Sequence, residues 1–232
     1  MTKLGIIGAM DIEVESLKKH LQNLTVTEKA GSDFYAGTLR GLPVVVVRCG
    51  IGKVNAAICA QILCDVFQVT HIINTGIAGS LDAVLDIGDL VVSDQVIHHD
   101  FDCFHFGYPH CTIPGMPTGF PADENLMAMA VAAAQQVHPD HVRVGTVASG
   151  DQFIADPALK NSIIEKTGAQ CTEMEGAAIA QTAYRNNVPF VILRAISDKA
   201  DDSAEMDYPT FEAAAAKRCA QVTQALAKRL AQ

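Results

Sequence analysis

The sequence predicts an α/β protein, a three-layer αβα sandwich around a central, mixed, twisted sheet. Three observations predict it. Short apolar runs of strand length alternate with longer segments whose apolar residues recur at helical spacing. Two alternating runs near the start are joined by glycine-containing turns into a meander, so the sheet is not purely parallel. No linker, charge block, repeat or low-complexity stretch divides the 232 residues, so one domain spanning 1–232 is expected.

The elements follow in order. Leu4–Ile7 is a strand-length apolar run, and Asp11–His20 sets Ile12, Val14 and Leu17 at helical spacing among charges. Thr25–Ala30, Asp33–Leu39 and Leu42–Arg48, the last with four consecutive valines, read as strands, with Gly31-Ser32 and Arg40-Gly41 as turns. Lys53–Val66 is an alanine-rich helix, His71–Asn74 a buried strand, and Asp89–His98 a longer strand introduced by Ile87-Gly88. Residues 100–122 break the pattern, with Pro109, Pro114, Pro117 and Pro121 among glycines and aromatics. They predict a long ordered loop, and loops of that length are usually functional. Asp123–Val137 is then a helix, His141–Ala148 a strand, and Pro157–Lys166 and Glu175–Arg185 helices. Pro189–Ile196 is a strand and Phe211–Leu230 a long closing helix.

Composition narrows the partners. Apolar residues make up 49% of the chain and mean hydropathy is +0.20. That exceeds what one core of this size requires, so a subunit interface is expected. Net charge is −9, from 17 basic and 26 acidic residues, with no Lys/Arg cluster. This argues against nucleic acid or an anionic membrane as partner. The first residues read as a strand rather than a signal peptide, and no apolar stretch reaches the roughly 18 residues of a membrane span. Seven cysteines, odd in number and without CxxC, read as reduced thiols in the cytoplasm.

Gly5-Ile6-Ile7-Gly8-Ala9-Met10 lacks the second glycine and the downstream acidic residue of a dinucleotide fingerprint. Gly50-Ile51-Gly52-Lys53 opens a helix, and Thr75-Gly76-Ile77-Ala78-Gly79-Ser80 is expected to follow a strand. Each either offers backbone N–H groups to a ligand or is a tight turn.

Chemistry concentrates in four segments: Gly8–Glu13, Ser149–Ile154, Glu173–Ala180 and Arg194–Asp198. Asp198 ends an apolar strand after Ser197, so it points into the crevice above the sheet or caps a turn. Glu13 lies in a first helical turn, where it compensates the helix dipole or does chemistry. Glu173 and Glu175 share one face of an extended segment and crowd each other unless the chain turns. Arg194 either forms an ion pair with one of these glutamates or serves the site. Phe153 and Ile154 either pack in the core or hold a flat purine. Two carboxylates with different roles suit hydrolysis of a sugar–base bond: an acid for the leaving base and a base for the attacking water.

These segments resemble the 5'-methylthioadenosine/S-adenosylhomocysteine nucleosidase family, and the resemblance covers nearly the whole chain. It implies a nucleoside phosphorylase-like fold. It also implies hydrolysis of 5'-methylthioadenosine, S-adenosylhomocysteine and 5'-deoxyadenosine to adenine and a 5-substituted ribose, as part of methionine salvage and biosynthesis. No metal or organic cofactor is implied. Asp198, held by Ser197, would be the general acid at adenine N7, with a pKa raised by apolar neighbours such as Ile196. Glu13 would be the base for the water, and Arg194 would help position that water. Glu175 would grip the ribose hydroxyls, with Met174 under the sugar; Glu173 also matches the site, without a defined role. Phe153 and Ile154 would form the adenine slot, with Ala78 and Gly79 opposite, and Ile77 stands where some relatives carry serine. Met10, Ile51, Cys103, Phe106, Pro114, Met174 and Tyr208 would surround the 5' group, some of them from a partner subunit. Cys103 and Tyr208 depart from the usual aliphatic residue and phenylalanine, which leaves the ranking of 5' substituents open.

His98-His99-Asp100-Phe101-Asp102-Cys103-Phe104-His105 has ligands soft enough for zinc but neither HExxH nor paired CxxC spacing. The resemblance implies instead that residues 100–122 build a homodimer and reach the partner's site. Three other readings share some features. A purine nucleoside phosphorylase would need a basic phosphate site, where Glu13 would repel the anion. A 6-amino-6-deoxyfutalosine-type nucleosidase would use the same carboxylates. A catalytically silent nucleoside-binding protein would be expected to lack one of them.

Overall fold

The computed structural model describes residues 2–201 and 203–232. The meander is β2 (Gln22–Lys29), β3 (Ser32–Leu39) and β4 (Leu42–Arg48), paired antiparallel. β2 is exposed along its whole length and carries Glu28 and Lys29, charges that discourage edge-to-edge pairing. β1 (Leu4–Gly8) runs parallel between β4 and β5 (His71–Ser80), and β10 (Phe190–Asp198) runs parallel to β5 on its other side. β6 (Leu90–His98) pairs antiparallel with β10 and with the short β7 (Gly119–Pro121), and parallel with β8 (Val142–Ser149). β9 (Cys171–Glu173) links β8 back to β5, so β5, β9, β8, β6 and β10 close on themselves.

Helices cover the sheet in two groups. α1 (Asp11–Lys19) and α3 (Glu124–Val137) pack against the closing helix α6 (Ala204–Leu230). α2 (Lys53–Asp65) packs against α5 (Gly176–Arg185), and α4 (Pro157–Thr167) lies near β8. The alanines of these helices are buried, Ala56, Ala60, Ala130, Ala133, Ala134, Ala216 and Ala220 among them. Small side chains let helix and sheet approach closely. Among the described residues no helix is long and apolar enough to cross a membrane.

Three local expectations need correction, and the short β9 lies where no strand is expected. The strand expected at His71–Asn74 continues to Ser80, so the glycine segment 75–80 is strand and not a turn. Gly76 fits there because a Cβ would collide with the Glu13 carboxylate and lie 3.2 Å from an Arg194 nitrogen. The strand expected to end at Ile196 reaches Asp198 through an irregularity in register between Ile196 and Asp198. The last helix starts at Ala204, before Phe211, with Pro209 inside its early turns. β9 is three residues long, too short for its periodicity to register.

Candidate active site

β1, β4, β5 and β10 run parallel, and the chain leaving their ends meets the ends of β8 and β9 around one cavity of about 360 Å³. That is within the range of small-molecule sites. Ala9, Met10 and Glu13 come from the β1–α1 connection, Ile51 from the β4–α2 connection, and Ile77, Ala78 and Gly79 from β5. Gln152, Phe153 and Ile154 follow β8; Thr172, Glu173, Met174 and Glu175 lie on β9 and the turn after it. Ser197 and Asp198 end β10, and Tyr208 reaches in from α6.

Glu13 is buried at the start of α1 and all its donors are backbone. Its Oε2 accepts N–H bonds from Ala9 (2.7 Å) and Met10 (2.9 Å), and its Oε1 accepts one from Ile77 (3.1 Å). It therefore caps its own helix and ties that helix to β5. Burial raises its pKa, opposed by the Arg194 charge and the three N–H groups.

Asp198 is held differently. Its Oδ1 accepts the Ala200 N–H at 2.8 Å, and its Oδ2 accepts the Ser197 hydroxyl at 2.8 Å. Burial raises its pKa; the two hydrogen bonds oppose this, and the nearby charges of Asp207 and Asp201 add to the rise.

The crowding of Glu173 and Glu175 is relieved by a turn. Glu173 ends β9, and Glu175 sits at the start of α5. The acceptor sites of Glu173 are taken by the Ser149 hydroxyl, the Glu175 and Gly176 N–H groups and the Arg194 guanidinium. It borders the cavity while serving as the capping carboxylate of α5. Arg194 does not line the cavity: its guanidinium donates to Asn74, Glu173 and the Leu193 carbonyl, 2% exposed. Sequence left open whether this arginine makes an ion pair or orients water, and the geometry makes it a buried ion-pair partner behind the site. Removing one member of such a pair strands the other charge. Glu173→Ala is therefore expected to cost about 3–5 kcal/mol in chemical denaturation.

Glu175 Oε1 accepts the Gly52 N–H at 2.8 Å. Burial, then the charge of Glu173, push its pKa up to about 8. The folded chain thus holds a proton that the unfolded chain gives up near the ordinary value of 4.5. The stability from this group is complete below that value and lost as pH rises through about 8. The ligand-free protein is expected to melt at falling temperature between pH 5 and pH 8.5, and Glu175→Gln to flatten that slope. Calorimetry across the range checks it.

At the outer wall, the Phe153 and Tyr208 rings meet edge to face with centroids 5.6 Å apart. The Tyr208 hydroxyl lies 3.2 Å from the Met10 sulfur. Cys103, Phe106 and Pro114 do not line the cavity of their own chain. Among the described residues no three His, Cys, Asp or Glu side chains group to hold a metal ion. Within the segment Ser149–Ile154 that the sequence singles out, Gln152 lines the cavity and Ser149 stands behind it, two positions to which the sequence assigned no role. Thr172 in the lining and Asn74 behind it were missed, since both sit in ordinary strand pattern.

This architecture and site define the class of protein: the chain belongs to the phosphorylase superfamily, whose family model matches residues 3–228. It is 43% identical over 231 residues to the 5'-methylthioadenosine/S-adenosylhomocysteine nucleosidase of Halalkalibacterium halodurans, covering 99% of this chain and 100% of the relative. Within the superfamily it is a member of the 5'-methylthioadenosine/S-adenosylhomocysteine nucleosidase family. The crystal structure of such a nucleosidase from Colwellia psychrerythraea in complex with adenine superposes with a TM-score of 0.95 at 38% identity, covering 99% of this chain and 96% of that one. The futalosine hydrolase of Helicobacter pylori superposes with a TM-score of 0.94 at 31% identity, covering 98% of each chain.

Proposed function

We propose that the protein is a purine nucleosidase that hydrolyses the N-glycosidic bond of 5'-methylthioadenosine, S-adenosylhomocysteine and 5'-deoxyadenosine. The observation that carries this reading is a pair of buried carboxyl groups in one cavity, both raised in pKa by burial but set among different neighbours. At Glu13 the Arg194 charge and three N–H donors work against that rise; at Asp198 the Ala200 N–H and the Ser197 hydroxyl work against it, while the charges of Asp207 and Asp201 add to it. A carboxyl beside a cation suits the base, and one beside further carboxylates suits the acid.

In this reading water attacks C1' as the C1'–N9 bond breaks. The bond's electron pair leaves with adenine, Asp198 delivers a proton to N7, and Glu13 takes one from the water. Ser197 orients Asp198, and Arg194 and Glu173 hold the site from behind. Glu175 grips the ribose hydroxyls with Met174 beneath the sugar. Phe153, Ile154, Ala78 and Gly79 enclose the base, while Met10, Ile51 and Tyr208 take the 5' group. Among the described residues no Lys, Arg or His lines the cavity. A phosphate would face the Glu13 carboxylate without a cation in the lining to hold it, which supports water as the acceptor.

The reading extends to a homodimer in which residues 100–122 reach the partner's site. Phe106 is 82% exposed, and Phe104 and Tyr108 on the same loop and Val54 and Ile58 on α2 are also exposed. Large apolar side chains left in solvent are suited to an interface, and Cys103, Phe106 and Pro114 are then free to complete the 5' pocket across it. A single domain over 1–232, a cytoplasmic location and a role in methionine salvage complete the proposal.

The test is adenine release from 5'-methylthioadenosine with and without phosphate. Release in both is expected. Release only with phosphate would make the protein a phosphorylase, and release in neither would turn to futalosine-type substrates or to binding alone.

A further inference from the structure

α2 begins at Gly52, a residue with φ of +100° and no side chain to cap the helix. The N–H groups freed at a helix start need acceptors. Here two carboxylates from elsewhere supply them: Glu175 takes the Gly52 N–H and Asp151 takes the Lys53 N–H, each at 2.8 Å. The Gly52 N–H is also the donor that fixes the Glu175 carboxylate at the cavity. Asp151 immediately precedes Gln152, Phe153 and Ile154 of the cavity wall.

A third carboxylate closes this arrangement into a ring. Asp100 Oδ1 pairs with the Lys53 ammonium at 2.5 Å, and its Oδ2 accepts the Asp151 N–H at 3.0 Å. Lys53 and Asp100 side chains are each 20% exposed. Burial alone would raise the Asp100 pKa, but Lys53 and the Asp151 N–H outweigh it and hold it below the usual range, so Asp100 is ionised at neutral pH. Neither side chain touches the cavity. Together they lock three strand-end connections, those after β4, β6 and β8. Asp100 is also the first residue of the 100–122 loop.

We infer that Lys53 and Asp100 are positioning residues for the nucleoside cavity, their ion pair clamping the start of α2 to Asp151 so that Gly52 holds Glu175 and the Phe153–Ile154 wall stays in place. An ion pair that still reaches solvent contributes little to stability by itself. Its effect is read in binding, where small misplacements of contacting groups are costly. The inference rests on the nucleosidase reading for its kinetic readout.

The experiment compares the wild-type protein with Lys53→Met, Asp100→Asn and Lys53→Arg. Steady-state kinetics use 5'-methylthioadenosine and its 2'-deoxy analogue; calorimetry measures adenine binding; thermal unfolding checks the fold. Lys53→Met and Asp100→Asn are expected to raise KM for 5'-methylthioadenosine by about 10-fold with a smaller change in kcat. The wild-type preference for the 2'-hydroxyl should shrink, adenine affinity should weaken, and Lys53→Arg should restore all three. KM and adenine affinity within twofold of wild type in Lys53→Met would overturn the inference. So would equal losses on both substrates, which a general loosening of the fold produces. A wild-type protein that binds adenine without releasing it from nucleosides would sink the nucleosidase reading instead, and adenine affinity of the variants would then decide on the clamp.

Discussion

Asp198→Asn is expected to lower the rate of adenine release by about 10²–10⁴-fold, the range that a positioned general acid supplies. The fold should survive, because the substitution keeps the hydrogen bonds that place the side chain. The asparagine oxygen can accept the Ala200 N–H that Asp198 Oδ1 accepts, and the Ser197 hydroxyl can turn to accept from the new NH₂ group. What is lost is the transferable proton. An amide still donates a hydrogen bond to adenine N7, so adenine binding should persist while turnover falls. Burial raises the wild-type pKa against the two hydrogen bonds that oppose it, so the acid keeps its proton to higher pH than an ordinary aspartate and the wild-type rate should decline as pH rises. Spectrophotometric release assays beside a thermal melt check this. A variant with the wild-type rate would remove Asp198 from the chemistry.

Much of this site is legible in the sequence because its residues sit at predictable ends. Glu13 in a first helical turn and Asp198 at the end of an apolar strand are placed by periodicity alone. Ser149–Ile154 announces itself as a turn after a strand. The relations between these residues are not legible. Whether Arg194 pairs with a glutamate depends on β9 and β10 being brought together across the sheet, and β9 is too short to be seen. The hold of Gly52 on Glu175 spans 123 positions and exists only because α2 and α5 share a face. The extension of β5 through 75–80 was hidden by its glycines. There a requirement for space beside Glu13, rather than for a turn, selects glycine at 76.

Glu13→Gln should be as damaging to turnover as Asp198→Asn, again about 10²–10⁴-fold, because the water loses its base. Its effect on stability should differ. Every donor to Glu13 is a backbone N–H, two on Oε2 and one on Oε1. None of the three can reverse as the Ser197 hydroxyl can. A glutamine in the same rotamer must set its NH₂ against an N–H, either that of Ile77 or those of Ala9 and Met10. A buried donor left without its acceptor costs about 1–3 kcal/mol. The loss of charge also removes one of the carboxylates that balance buried Arg194. Glu13→Gln should therefore melt measurably below wild type, whereas Asp198→Asn should not. Gly76→Ala, whose Cβ would collide with the Glu13 carboxylate, should slow turnover by displacing the base while leaving its charge. Measuring rates and melting temperatures of all three variants separates the two roles. If Glu13→Gln kept the wild-type rate while losing stability, Glu13 would be a helix cap that ties α1 to β5, and the base would have to be sought elsewhere in the cavity.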